Sequence, residues 1–148
     1  MLNKENYSIA VIKLKPVGKG RPRAVRRGRH ITLYTPAVTK EYEMAVRTEW
    51  ENQVDSMIDT EFFYVKVAFY FAIPRSYSAK KRKYIEETKF LHNKKPDGDN
   101  LIKAILDALN GVAYPDDCMI CDLNVKKRYS DSNSIHIRVG NALLLEEA

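Results

Sequence analysis

The sequence predicts an α+β fold in a single domain, a mixed β-sheet carrying two main helices. Three observations lead there. An unbroken alternation of apolar residues runs from Phe63 to Ile73, and two segments with helical apolar spacing open near Pro36 and Pro96. The 148 residues suit one domain, with no internal repeat or linker, so residues 1–148 are read as one unit.

Each element has its own signals. Tyr7 to Lys15 is a strand ended by Pro16, and Gly18 to Arg23 is a loop whose glycines and Pro22 discourage regular structure. The spacing G-x-x-x-x-G-K-[ST] is absent, which excludes a nucleotide-binding loop of that type. His30 to Tyr34 reads as a short strand. Thr35-Pro36 reads as an N-cap followed by proline at the first helical position, opening a helix to about Val54. Val38, Tyr42, Ala45 and Val46 form its apolar stripe. In the Phe63–Ile73 strand the companions Phe62, Tyr64, Ala68 and Tyr70 are largely apolar too, so a central strand covered on both faces is expected.

A short basic helix follows Ser78. The second long helix begins within Pro96 to Asn100 and stops at Asn110-Gly111, where glycine suits the C′ position. Leu101, Ile105, Ala108 and Val112, helped by Ile102 and Leu109, supply its buried face. Pro115-Asp116-Asp117 leads into a strand with Cys121, Leu123 and Val125 on one side. The last strand points Ile135, Ile137 and Val139 inward and His136 and Arg138 outward.

Composition narrows the function. No apolar run approaches the ~20 residues of a membrane span, and MLNKENYSIA lacks a secretory h-region, so a cytoplasmic protein without a membrane partner is expected. Cys118 and Cys121 form a lone C-x-x-C without the further ligands of a zinc site, and are expected to be packed thiols. The net charge is +6, matched by Lys19, Arg21, Arg23, Arg26, Arg27 and Arg29 in one acid-free stretch. Lys80, Lys81, Arg82 and Lys83 form a second cluster. Two basic clusters flanking an acidic motif point to a polyanion, and both are candidate DNA-binding surfaces.

That motif runs from Lys94 to Gly111 and on to Asp116-Asp117. Asp97 and Asp99 flank Gly98, so in extended backbone both carboxylates share a face and can approach one cation. Asp116 and Asp117 stand at the mouth of the next strand, where the fold can return them to the helix start. Oxygen-only ligands suit Mg²⁺ or Mn²⁺. Lys103 lies one turn from Asp99, near a phosphate held there. Asp107 is about 12 Å along the axis and pairs with Lys103 or another cation instead. Taken alone, D-G-D-N reads as an Asx-turn leading into an N-cap, which explains most such tetrapeptides, and Asp116-Asp117 as a plain turn.

Taken whole, K-P-D-x-D-N-L-x-K-x-x-x-D-A-L-x-G followed by D-D resembles the signature of RusA-type Holliday-junction resolvases, matched here by Lys95 to Gly111 and Asp116-Asp117. Lys19-Gly-Arg-Pro-Arg, Tyr34-Thr-Pro and Lys40-Glu-Tyr-Glu resemble the N-terminal half of the same family. The resemblance implies a RusA-like fold and a homodimer that nicks two opposing strands of a four-way DNA junction. It implies metal-binding aspartates at Asp97, Asp99 and Asp117, with Asp116 a less secure fourth, and a functional lysine at Lys103. Catalysis would then rest on Asp97, Asp99, Asp117 and Lys103, with Mg²⁺ as cofactor and Mn²⁺ a substitute. His92 is expected in a loop or on the DNA backbone. Two other readings stay open, a nuclease of this fold on other branched DNA and a DNA-binding protein without catalysis.

Overall fold

The computed structural model describes residues 6–20, 23–34 and 36–145. In chain order the elements are β1 (Tyr7–Ile12), β2 (Arg23–Arg27), β3 (His30–Tyr34), α1 (Ala37–Gln53), β4 (Phe63–Ala72), α2 (Ala79–Glu87), α3 (Gly98–Leu109), β5 (Ile120–Ser130) and β6 (Ser134–Asn141). Single 3₁₀ turns cover Asp117–Met119 and Ala142–Leu144.

Four strands form one mixed sheet in the order β1-β6-β4-β5. β4 pairs antiparallel with β6 and parallel with β5, and the parallel step is bridged by α2 and α3, since parallel neighbours cannot be joined by a tight turn. The expected α+β domain is borne out. β2 and β3 form a separate hairpin closed at Gly28-Arg29.

The core lies between one sheet face and helices α1 and α3. Phe63, Val65, Val67, Phe69 and Phe71 of β4 are buried there with Ile135, Ile137 and Val139 of β6, in the predicted alternation. Leu101, Ile102, Ile105, Ala108 and Leu109 give α3 its buried side. Gly111, at φ +81°, stands just past its end, as expected.

Several expectations are corrected. β4 is covered by helices on one face only; Lys66 is exposed, and Ala68 and Tyr70 are half-buried on the other. The charge of Lys66 interrupts that companion row and keeps it open to water. α1 begins at Ala37 with Pro36 at the N-cap, while Thr35 lies outside the described residues. Val38 is 68% exposed; Tyr42, Val46 and Trp50 anchor the helix instead. β1 stops at Ile12. On β5, the edge strand of the sheet, Cys121 and Leu123 are exposed. Cys118 is exposed as well, so neither thiol is packed. Among the described residues no helix is long and apolar enough to cross a membrane.

Candidate active site

The acidic motif sits where the chain enters α3. Asp97 is the N-cap residue in extended conformation, and its carbonyl accepts from the Leu101 amide at 3.0 Å. Its carboxylate makes no capping bond. Aspartate at this position ordinarily caps, so the side chain of Asp97 is left uncommitted. Asp99 occupies the first turn, where the helix dipole favours an anion. Gly98 separates them, and a side chain added there would meet only Lys127 at 4.0 Å.

Gly98 and Asp99 open onto a hollow of about 500 Å³ whose far wall is β5, with Val125, Lys126, Lys127 and Arg128. Lys127 donates to the Lys94 carbonyl. Burial lowers its pKa, against the opposing pull of the Asp97 charge. Sequence reasoning missed this third basic group. Its signal was the Lys126-Lys-Arg128 run, in a strand that follows the motif directly. Lys103 is exposed one turn along α3 from Asp99.

Asp116 and Asp117 lie elsewhere. Asp116 caps the 3₁₀ turn by accepting from the Cys118 amide at 3.1 Å, and the Asp117 amide donates to Asn110 Oδ1 at 3.1 Å. The bond to Cys118 lowers the Asp116 pKa, whereas hydrogen bonding to Asp116, burial and the charges of Asp116 and Asp107 raise that of Asp117. Asp117 therefore belongs to the C-terminal end of α3, while Asp99 is at the other end. Asp99 and Asp107 are about 12 Å apart along the axis, several times a metal–oxygen bond. The expectation that one chain returns Asp117 to the helix start is corrected: β5 runs antiparallel to α3 and begins beside its last turn. Among the described residues, no three His, Cys, Asp or Glu side chains form a group able to hold a metal ion. Asp97 is extended but Gly98 and Asp99 are helical, so the shared face expected of an extended backbone is corrected. Both carboxylates stay at the mouth of α3, and Mg²⁺ commonly takes one or two carboxylates and completes its shell with water and phosphate.

The basic residues also separate. Lys19, expected on DNA, bonds Glu43 of α1 and stands 3.0 Å from Asp107 of α3, so its charge is engaged inside the protein. The chain reaches this position by close approach: a Cβ on Gly20 would lie 2.5 Å from Thr39 Oγ1, and the Gly20 amide donates to that oxygen. Arg23, Arg26 and Arg27 fall on β2 and Arg29 in the hairpin turn, with Arg26, Arg27 and Arg29 exposed. Arg21 lies outside the described residues. Lys80, Lys81, Arg82 and Lys83 are exposed on α2, where Arg82 bonds the carbonyls of Pro74 and Tyr77 and Lys81 stands over the Tyr77 ring. His92 lies in the loop between α2 and α3, as expected. It is half-buried and stacked on Phe71.

The α+β domain thus places Asp97 and Asp99 at the mouth of α3, near the basic residues of β5. Comparison with known families gives the class of protein. The family described as Endodeoxyribonuclease RusA matches residues 13–140. A protein of Bacillus subtilis (strain 168), named as the uncharacterized protein YqaN, is 32% identical over 127 residues, covering 84% of this chain and 89% of its own length. The chain belongs to the RusA family. It is thereby an endodeoxyribonuclease of the Holliday-junction-resolving class, in a family whose nucleases depend on divalent metal.

Proposed function

We propose that this protein is a Mg²⁺-dependent endonuclease that, as a homodimer, resolves four-way DNA junctions by paired symmetric nicks in recombination and repair. The observation that carries the reading is the Asp97 carboxylate, which makes no capping bond and whose charge acts on Lys127, with Asp99 bordering the hollow that Lys127 also lines. Two acids aimed at a polyanion would weaken binding unless a cation bridges them, which favours an enzyme over a passive DNA-binding protein. Asp97 and Asp99 would hold Mg²⁺, or Mn²⁺ in its place. When bound, the cation supplies Lewis acidity that activates water and neutralises charge on the phosphate and leaving oxygen.

The protein's own groups do the rest. Lys103 contacts the scissile phosphate from one turn along α3, and Lys127, fixed by the Lys94 carbonyl, holds the strand against the opposite wall. Asp117 lies beyond the reach of this pair in its own chain. We assign it to the site formed with the other protomer, so that Asp97 and Asp99 of one chain meet Asp117 of the partner subunit across a two-fold axis. Asp116, fixed as a cap, orients Asp117. The exposed arginines of the β2–β3 hairpin and the lysines of α2 carry the junction arms. The whole of residues 1–148 serves as one RusA-like domain, acting in the cytoplasm, and its products carry a 5′-phosphate and a ligatable 3′-hydroxyl.

The test is a labelled four-way junction beside linear duplex, a flap and a fork of shared sequence, with and without Mg²⁺. Paired cuts confined to the junction and to Mg²⁺ are expected. Equal cutting of flap or fork selects the broader branched-DNA reading, and binding without cutting selects the non-catalytic one.

A further inference from the structure

Next to the acidic motif lies a larger hollow of about 700 Å³, within the usual range for small-molecule sites. His92 lines both. Four rings line this second hollow, Tyr77 and His92 half-buried and Phe71 and Tyr129 nearly buried, and Lys15, Lys94 and Lys95 line it as well. Among the described residues no acid lines it. Pro96, also in its wall, is the residue immediately before Asp97.

The aromatic wall depends on an unusual backbone turn. After α2, Lys89 and Phe90 both take left-handed conformations, φ 60° and 59°, which cost energy for side chains of this kind. The turn is held where the Tyr129 amide donates to the Phe90 carbonyl at 2.7 Å and the His92 amide to the Lys127 carbonyl at 3.3 Å. It lays the His92 ring on Phe71, centroids 4.2 Å apart and 18° from parallel, and against Tyr129 at 4.6 Å. Burial, with the nearby Lys127 and Lys94 charges, pulls the His92 pKa down to about 4, so the ring is neutral. Among the described residues, His92 Nδ1 has no hydrogen-bond partner.

Flat neutral rings, flanking lysines and a lining without acids among the described residues match one chemical class. Nucleobases stack on aromatic rings regardless of identity, and cations track the adjoining phosphates. We propose that this hollow receives one unpaired DNA base, stacked on the ring wall, with the neighbouring phosphates on Lys94 and Lys95. The inference rests on the nuclease reading and deepens it. Lys94 and Lys95 lead directly to Asp97, so the captured nucleotide is a near neighbour of the phosphate to be cut. An unpaired base is cheapest to obtain at a branch point, where stacking is already interrupted.

The probe is a single-stranded oligodeoxynucleotide carrying one 5-iododeoxyuridine, irradiated with the full-length protein and mapped by peptide mass spectrometry. Adducts on Phe71, Tyr77, His92 or Tyr129 are expected from the single strand, and none on these rings from a perfect duplex of the same sequence. Tyr77→Ala should weaken single-strand binding roughly tenfold, within the range for removing one aromatic ring from a base stack, and Tyr77→Phe should preserve it. Adducts elsewhere only, no adducts at all, or wild-type affinity in Tyr77→Ala overturns the proposal. Junction nicking by the same preparations separates the two claims. Nicking without ring adducts rejects the base pocket alone, and ring adducts without nicking reject the nuclease reading alone.

Discussion

The ammonium of Lys19 stands 3.0 Å from Asp107 Oδ2, and its other partner is Glu43, so one cation ties the segment before β2 to both α1 and α3. Burial works against the charge, but hydrogen bonds to Glu43 and Asp107 outweigh it and raise the Lys19 pKa above 10.5. A folded-state pKa above the unfolded value contributes stability that is complete below pH 10.5 and disappears as pH rises through the folded pKa. Lys19→Met should lower unfolding free energy by about 1–3 kcal/mol at neutral pH, the scale of hydrogen bonds to a charged group. Urea titrations at pH 8 and pH 11 check this. The gap between wild type and variant should shrink at the higher pH, and a constant gap would show that packing, not charge, holds Lys19.

The same residue shows what the sequence could and could not disclose. Alternation along β4 and β6 and the apolar stripe of α3 were legible because burial repeats at the period of each element. β2 was not: Arg-Ala-Val-Arg-Arg covers no core, and its strand form comes only from pairing with β3. Lys19 read as part of a basic run because Glu43 and Asp107 are distant in sequence. Trp50 was overlooked although it is 2% exposed and anchors α1. In the site, local spacing marked Asp97 and Asp99 as candidates, but the shared face it implied did not follow, because α3 already begins at Gly98. The position of Asp117 was not legible, since it depends on the direction in which β5 leaves α3.

Asp97→Asn and Asp99→Asn should each reduce junction cutting by roughly a hundredfold or more, since several kcal/mol of charge stabilisation pass through the cation they hold. Junction binding should persist or tighten as repulsion falls. Asp107→Asn should keep most activity at moderate temperature, because its partner is Lys19, while losing thermal stability. Single-turnover rates with Mg²⁺, beside gel-shift titrations with Ca²⁺, check both. Calcium's longer coordination, ~2.3–2.6 Å, is expected to support binding with little turnover. Near wild-type cutting by Asp97→Asn would remove it from the ligand set.

Arg26, Arg27 and Arg29 are exposed on a hairpin outside the main sheet. Replacing all three with glutamine should weaken junction binding with little effect on folding, since surface changes away from packed features are usually small. Every phosphate that an arginine no longer neutralises should flatten the slope of log K against log salt by roughly 0.9. An unchanged slope would exclude the hairpin from the DNA interface.

The last prediction tests whether the metal site is shared between protomers. Asp117 is tied to Asn110 at one end of α3, and Asp97 and Asp99 are at the other. If the three act together, a two-fold pair supplies what one chain separates. Asp99→Asn and Asp117→Asn are each expected to be inactive. Mixed and allowed to exchange, they form heterodimers as about half of all dimers, under free two-fold pairing. In a shared arrangement one site of each heterodimer is intact, with Asp99 from one chain and Asp117 from the other, and the second site lacks both. The mixture should therefore regain nicking of a cruciform plasmid, accumulating nicked circles with little linear product. Asp97→Asn mixed with Asp99→Asn should remain inactive, because neither combination restores the pair. Recovery in the first mixture and silence in the second is the pattern expected of a shared site. If the first mixture is as inactive as its components, while gel filtration shows that subunits exchanged, Asp117 does not complete the partner's site.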